Sequence, residues 1–210
     1  MCMYDYLRRM SAERLIAHRR KCSREAAWIN DRLNVNPRLC KTCIARDTAL
    51  RYVFDRRTTI KFRPDALFLQ KDRCIVLEYD EKQHDGYSGA SEETRTMQIA
   101  GVIREHAGKN AFVFLRFNPD DMTTRRHGGP SSQTRDEMFD KALRIIEAHR
   151  PPARPNDPLC IYFFYDCDSR SIAPGLTRIH IRDQADICIL SEKLMRLGWS
   201  SISDNLNDSL

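Results

Sequence analysis

The spacing of apolar residues changes along the chain, and each change predicts a different secondary-structure element. Apolar side chains recur at helical intervals over residues 11–32, which predicts a first helix. The polar segment 34–43, NVNPRLCKTC, predicts a loop. Two runs rich in apolar residues, 62–69 and 74–80, are joined by the polar turn QKDR and predict a pair of strands.

The remainder of the chain alternates between helical and strand patterns. Its last apolar run contains IYFFYD, which is typical of a central strand, although its aromatic rings would also suit a base-stacking platform. The overall order predicts an α/β fold with a central mixed β-sheet flanked by helices. The helices are predicted over residues 91–106, 135–149 and 187–197, the strands over 111–117 and 159–166, and a long polar loop over 118–134.

Charge is distributed unevenly along these elements. Residues 1–63 carry 16 lysines and arginines against 6 acidic residues, a net charge of +10, whereas residues 64–210 carry 19 against 23, a net charge of −4. A basic segment beside an acidic-leaning remainder favours a polyanion-binding region next to a carboxylate-rich centre. A solvated basic face would give the same count. We expect three regions: a basic helical region, a core, and a C-terminal strand and helix that complete the core or form an interface. Their bounds are 1–58, 59–150 and 151–210.

The chain shows no sign of a membrane or secretory segment. It contains no run of 18 apolar residues, and its first residues lack the apolar stretch of a signal peptide. We therefore expect an intracellular, reducing compartment, the cytoplasm or the nucleus, and no membrane partner. In that compartment the eight cysteines are predicted to be thiols or metal ligands rather than disulfides.

Ionisable residues follow directly on the predicted strand over 74–80. Glu78 and Asp80 fall on one face of that strand, because side chains alternate along a strand, and the neighbouring strand would bring Asp65 close to them. Three packed carboxylates repel one another unless a divalent cation neutralises them. Because oxygen ligands select hard cations, the pattern predicts Mg²⁺ or Mn²⁺. The alternative is a strand whose polar end is simply solvated.

Four motifs in this part of the chain resemble the PD-(D/E)XK, or restriction-endonuclease-like, nuclease superfamily. The resemblance covers about residues 62–120 and is nearest to the very-short-patch-repair-endonuclease-like branch, which has relatives in large DNA viruses. The motifs are Arg63-Pro64-Asp65, the run from Val76 to His84, Glu92 to Arg95, and Arg116-Phe117-Asn118-Pro119-Asp120. The resemblance implies a restriction-endonuclease-like core with a basic N-terminal helical extension, and metal-dependent cleavage of DNA.

The resemblance also implies roles for individual residues. Asp65 would be the central metal ligand, Glu78 the second ligand, and Asp80 a third ligand or an outer-sphere group. His84 would contact the scissile phosphate or act as general acid or base. The motif residues expected to bind nucleic acid are Arg63, Arg95 and Arg116. Charge, rather than the resemblance, adds Arg19, Arg20 and Lys21 of the basic helix and Arg125 and Arg126 of the polar loop, which could equally be a solvated loop.

The lysine of the superfamily motif can be placed in two registers. It normally stands two residues after the second acid, and Asp80 occupies that position when the count starts at Glu78. When the count starts at Asp80, the position holds Lys82, which gives a literal D-x-K. The interval from Glu78 to His84 fits the patch-repair-like branch, so we prefer Glu78 as the acid, with Lys82 as an electrostatic stabiliser.

A second set of residues could bind a structural zinc ion. His18 and Cys22 are four residues apart on the first predicted helix, and Cys40 and Cys43 form a C-x-x-C pair. The spacing departs from a standard zinc finger. The alternative is a core thiol, a surface histidine and two incidental cysteines. The resemblance favours zinc, because patch-repair-like nucleases are known for a structural zinc.

Two functions from different classes are consistent with these features. The first is a divalent-metal-dependent endonuclease that hydrolyses phosphodiester bonds in DNA. RNA is an alternative substrate, because no motif senses a 2′-hydroxyl. The second is a catalytically inactive nucleic-acid-binding or scaffold protein with a nuclease-like fold. The apparently intact carboxylate set favours the enzyme, because a purely binding protein gains nothing from acids that repel phosphate.

Overall fold

The computed structural model describes residues 12–53, 62–80, 89–120, 131–152, 157–165 and 175–202. These residues fall into two compact units, one within Met1–Lys41 and the other within Thr42–Leu210. Each unit is described separately below.

The first unit contains two helices, α1 (Ala12–Val35) and α2 (Pro37–Thr42), of which the last residue of α2 belongs to the second unit. The helix predicted over residues 11–32 is confirmed. The prediction of a loop over residues 34–43 is wrong, because a new helix begins at Pro37, directly after Asn36. The Asn36 side chain accepts a hydrogen bond from the Leu39 amide at 3.0 Å, as an N-cap residue does, and proline suits the first helical position.

The second unit is built on a six-stranded sheet. The strand order is β1-β2-β3-β4-β6-β7; β1, β2 and β3 run antiparallel, and β3, β4, β6 and β7 run parallel. The short strands β5 and β8 form a separate pair. The strands are β1 (Cys43–Arg46), β2 (Ala66–Leu69), β3 (Cys74–Tyr79), β4 (Phe112–Phe117), β5 (His149–Arg150), β6 (Leu159–Phe163), β7 (Thr177–Ile181) and β8 (Ser200–Ser201).

Helices lie on both faces of the sheet, so the predicted α/β fold with a mixed central sheet is confirmed. On one face, Ile99 and Ile103 of α4 belong to a buried cluster with Val76 and Phe114 of the sheet. On the other face, the Phe139 ring of α5 packs against the aromatic rings of β4 and β6, at centroid distances of 5.5 and 5.0 Å. The helices of this unit are α3 (Leu50–Val53), α4 (Gly89–Ala107), α5 (Ser132–Glu147), α6 (Gln184–Cys188) and α7 (Leu190–Arg196).

Two features of the C-terminal part differ from the sequence prediction. Strand β7 was not predicted, because polar Arg178 and His180 alternate with its apolar residues and no continuous apolar run marks it. The single helix predicted over residues 187–197 is two helices, α6 and α7. Ile189 leaves helical geometry between them, with φ −97° and ψ 0°. The apolar spacing continues across this break, so spacing alone could not locate it.

Arg73 connects the start of β3 to the end of α5. Its guanidinium group is buried, donates hydrogen bonds to the carbonyl oxygens of Ile146 at 2.7 Å and His149 at 2.5 Å, and lies 5.2 Å from the centroid of the Trp199 ring. A cation at the carboxyl end of a helix also interacts favourably with the helix dipole.

We expect Arg73→Met to lower the free energy of unfolding by about 2 kcal/mol, because it leaves buried carbonyl groups without a charged donor. Urea unfolding followed by circular dichroism measures this loss. Lys141→Met, at an exposed position of α5, is the matched control and should change stability by less than about 0.5 kcal/mol. Equal stability of the two variants would contradict the assignment.

Candidate active site

Two of the predicted acids lie close together at one end of the β2–β3 hairpin. The last register pair is Ala66 with Leu77, so Asp65 and Glu78 are the next residues of the two segments, and the negative charge of Asp65 acts on Glu78. The Asp65 side chain accepts a hydrogen bond from the Tyr79 amide at 2.5 Å, and this bond fixes the carboxylate at the end of the strand pair. The four-residue turn at the other end, closed by the Gln70 amide bonding to the Arg73 carbonyl at 2.9 Å, sets this register.

Glu78 is a buried acid with a basic partner. It is 5% exposed, and Nη2 of Arg95 on α4 donates to its two carboxylate oxygens at 3.1 and 3.3 Å. Burial raises the pKa of Glu78 to about 8, with Arg95 opposing the rise and the negative charges of Asp65 and Asp80 adding to it. Glu78 therefore holds a proton near neutral pH unless a further positive charge is supplied.

Asp80 is held by a different pair of groups. Nε of Arg116 donates to its Oδ2 at 2.6 Å, and the hydroxyl of Tyr165 donates to the same oxygen. All three side chains are buried. Burial and the charge of Asp80 raise the pKa of Tyr165 well above its ordinary value, so the phenol stays protonated and acts as a donor.

The polar residues continue as one row across the sheet. Neighbours in register are Glu78 and Arg116, Arg116 and Tyr162, and Tyr162 and His180. The Arg116 guanidinium lies 5.8 Å from the centroid of the Tyr162 ring, and the Tyr162 and His180 rings stack with centroids 5.1 Å apart. The row therefore crosses four strands, β3, β4, β6 and β7, on the α4 face of the sheet, and Asp65 lies beside its Glu78 end.

The structure thus brings together five residues that the sequence singled out: Asp65, Glu78, Asp80, Arg95 and Arg116. Arg63 lies two residues before Asp65, where it donates to Asp47 Oδ2 at 3.0 Å and is partly exposed. Lys82, His84, Arg125 and Arg126 lie outside the described residues. So do the side chains of Arg19, Arg20 and Lys21, whose backbone belongs to α1.

The predicted zinc ligands are divided between the two units. The backbone of His18 and Cys22 lies in α1, but their side chains are outside the described part of the chain. Cys40 is an exposed thiol of the first unit, and Cys43 is a half-buried thiol of the second. A structural zinc at these four residues stays a prediction.

Among the residues that the structure describes, no group of three or more His, Cys, Asp or Glu side chains is arranged to bind a metal ion. Asp65 and Glu78 come nearest to such a group, since the charge of the Asp65 carboxylate acts on Glu78. Asp80 contributes its charge to the cluster but directs Oδ2 toward Arg116 and Tyr165. The three acids predicted as ligands therefore divide into a neighbouring pair and an acid engaged in a buried ion pair.

Tyr165 is a site residue that the sequence analysis missed. It stands beyond the end of β6, after Phe164, whose backbone adopts a left-handed conformation with φ 64°. That turn ends the strand and directs the next side chain toward Asp80. A polar aromatic residue just after an apolar run was the available signal, but only the parallel pairing of β4 and β6 shows that it reaches Asp80.

No protein-family model, curated protein or solved structure matches this chain. In the portion of the chain that the structure describes, no helix is long and apolar enough to cross a membrane.

The raised pKa of Glu78 predicts how stability depends on pH. In metal-free solution the folded protein keeps a proton that the unfolded chain loses, so the free energy of unfolding should fall as pH rises from about 4.5 to about 8. Glu78→Gln removes this contribution. We expect the melting temperature of the wild type to fall by several degrees relative to Glu78→Gln between pH 5 and pH 8, measured in EDTA. Parallel pH profiles would contradict the assignment.

Proposed function

We propose that this protein is a divalent-metal-dependent endonuclease that hydrolyses phosphodiester bonds in DNA. The observation that carries the proposal is the pair formed by Asp65 and Glu78, which lie close together at the end of the buried β2–β3 hairpin. A negative charge on buried Glu78 beside Asp65 is costly, as the raised pKa of Glu78 shows, so a bound cation would stabilise the ionised pair. The pKa of Glu78 stays raised although Arg95 is bonded to it, so this arginine compensates the acids only in part.

The donor set fits Mg²⁺ or Mn²⁺, because both cations prefer carboxylate oxygens. Asp65 and Glu78 would hold the ion. Such a cation supplies charge stabilisation at the phosphate and lowers the pKa of a bound water. Asp80 is better suited to holding Arg116 than to binding metal, since its Oδ2 already accepts two hydrogen bonds.

The remaining side chains would position the substrate. Arg95 lies beside Glu78, and a guanidinium there can bind a phosphate oxygen as well as the carboxylate. Lys82 and His84 follow Asp80 directly in sequence, and they keep their predicted roles as electrostatic stabiliser and as phosphate contact or general acid or base. The observed succession of two antiparallel strands, a helix and a parallel strand agrees with the order of elements on which the nuclease resemblance depends.

A second candidate function is a catalytically inactive nucleic-acid-binding or scaffold protein. One observation favours it: Glu78 and Asp80 each have an arginine partner, Arg95 and Arg116, which offsets part of their charge without a metal ion. In that case the two ion pairs would stabilise the fold and would have no role in catalysis.

Cleavage of labelled single- and double-stranded DNA by the wild-type protein distinguishes the two functions. The endonuclease should cut with Mg²⁺ or Mn²⁺ and should not cut in EDTA. An RNA strand of the same sequence tests the alternative substrate. A well-folded protein that binds DNA and cuts none of these substrates with either metal would favour the binding protein.

A further inference from the structure

A basic pocket lies at the open edge of the sheet, beside β7. β7 is the last strand in the sheet order, and the pocket between it and α7 has a volume of about 400 Å³. Every ionisable residue that lines it is basic. These residues are Arg178, His180, Arg182, Lys193 and Arg196.

The outer cations of this pocket form ion pairs with acidic side chains. Lys193 and Arg182 lie 3.3 and 3.6 Å from Asp186, and Arg196 lies 2.5 Å from Glu192. The side chains of Arg182 and Arg196 are 57% and 76% exposed. The Arg196–Glu192 pair is exposed on both sides and contributes little to stability, so the Arg196 guanidinium can turn to an incoming anion. The exposed Arg182 guanidinium can do the same, because Lys193 also binds its partner Asp186, which is 12% exposed. Phosphate suits such groups, because a guanidinium binds two of its oxygens at once.

The pocket is connected to the proposed active site through the row of side chains that crosses the sheet. His180 lines the pocket and stacks on Tyr162, and the Tyr162 ring lies next to Arg116, the register neighbour of Glu78. Glu78 and His180 stand three strand spacings apart, on the order of 14 Å. A few linked nucleotides span that distance, so a strand bound at Glu78 and running along the carboxyl ends of the parallel strands toward β7 would place a phosphate at the pocket.

We propose that the basic pocket beside β7 is a second phosphate-binding subsite. It holds the nucleic-acid backbone a few nucleotides away from the bond that is cut. This inference rests on the proposed function, because the row gives the direction of the strand only if the substrate is bound at Asp65 and Glu78. The chemistry recognised is the phosphodiester group, and the base sequence plays no part.

The test is binding of a labelled thymidine dodecamer to the full chain in EDTA, where no cleavage occurs, over a series of salt concentrations. We compare the wild type with the double variant Arg182→Ala/Arg196→Ala. The charge-matched control is Lys141→Ala/Arg144→Ala, which removes two exposed cations from α5, on the face of the sheet opposite α4 and the row. The pocket variant should bind roughly tenfold more weakly, and the slope of log K against log salt should fall by about one. The control should bind within about twofold of the wild type.

A thymidine dinucleotide tests whether the subsite needs a connected strand. It is too short to reach from Glu78 to the pocket, so the pocket variant should bind it as the wild type does. If the pocket variant loses dinucleotide and dodecamer binding by the same factor, the pocket takes a small phosphate ligand by itself and the backbone subsite is overturned. Dodecamer binding equal to that of the control, or no binding by the wild type, also overturns it. A wild type that never cuts, with the dodecamer result as expected, would refute the nuclease and retain the subsite.

Discussion

Replacing Asp65 with asparagine or Glu78 with glutamine is expected to lower metal-dependent DNA cleavage by on the order of 10³-fold. Each amide keeps the shape of the acid but removes the negative charge that would hold the cation. Glu78→Gln should still fold, because the raised pKa keeps Glu78 largely protonated near neutral pH without metal. Single-turnover cleavage with Mg²⁺ measures the rate, and the rise in melting temperature on adding Mg²⁺ measures metal binding.

Glu105→Gln is the matched control for both amide variants. Glu105 lies exposed on α4, so its replacement makes the same chemical change away from the site and should leave cleavage and the Mg²⁺-induced melting shift unchanged. A folded Asp65→Asn or Glu78→Gln protein that cuts DNA at the wild-type rate would exclude this pair as the metal-binding acids. Loss of cleavage with an unchanged melting shift would exclude them as ligands while keeping them in the site.

Replacing Arg116 with methionine is expected to lower the free energy of unfolding by about 3–5 kcal/mol. Its side chain is 5% exposed and that of Asp80 is 1% exposed, so the substitution removes the cation from a carboxylate that water does not reach. The hydroxyl of Tyr165 still bonds to Asp80, but a neutral donor cannot replace a charge in a buried position. Urea unfolding gives the difference directly.

A double variant separates the ion pair from simple packing loss. Arg116→Met combined with Asp80→Asn removes both charges, so it should lose less stability than the sum of the two single variants. Arg196→Met is the exposed control; it breaks a surface pair with Glu192 and should cost less than about 1 kcal/mol. A loss below about 1 kcal/mol for Arg116→Met would show that the buried pair contributes little.

The hairpin that carries the acids could be predicted from the sequence because every signal for it is local. Apolar runs flank a short polar turn, and strand periodicity alone puts Glu78 and Asp80 on one face. Asp65 could be placed close to Glu78 because an antiparallel partner joined by a short turn has few possible registers. The residue types then predicted a cation-binding site.

The partners of Asp80 could not be predicted, because they come from distant strands. Tyr165 reaches Asp80 only through the parallel pairing of β4 and β6 and the left-handed turn at Phe164. Neither the parallel pairing nor the left-handed turn produces a periodic pattern in the sequence. Likewise, β7 was missed because it is an edge strand with polar residues on one face, and so the row from Glu78 to His180 could not be traced.

The residues that contact each other within the β2–β3 hairpin are close in sequence, whereas those that contact each other across the parallel strands are far apart in sequence. Asp65 meets Glu78 across a short turn, so a local loop closure brings the two acids together. Arg116 and Tyr165 meet Asp80 only after the chain has crossed over α4 and then α5. Contacts between residues that are far apart in sequence form slowly during folding. The acid pair is thus assembled locally, and the arginine that offsets Asp80 is brought in by the slower, long-range part of folding.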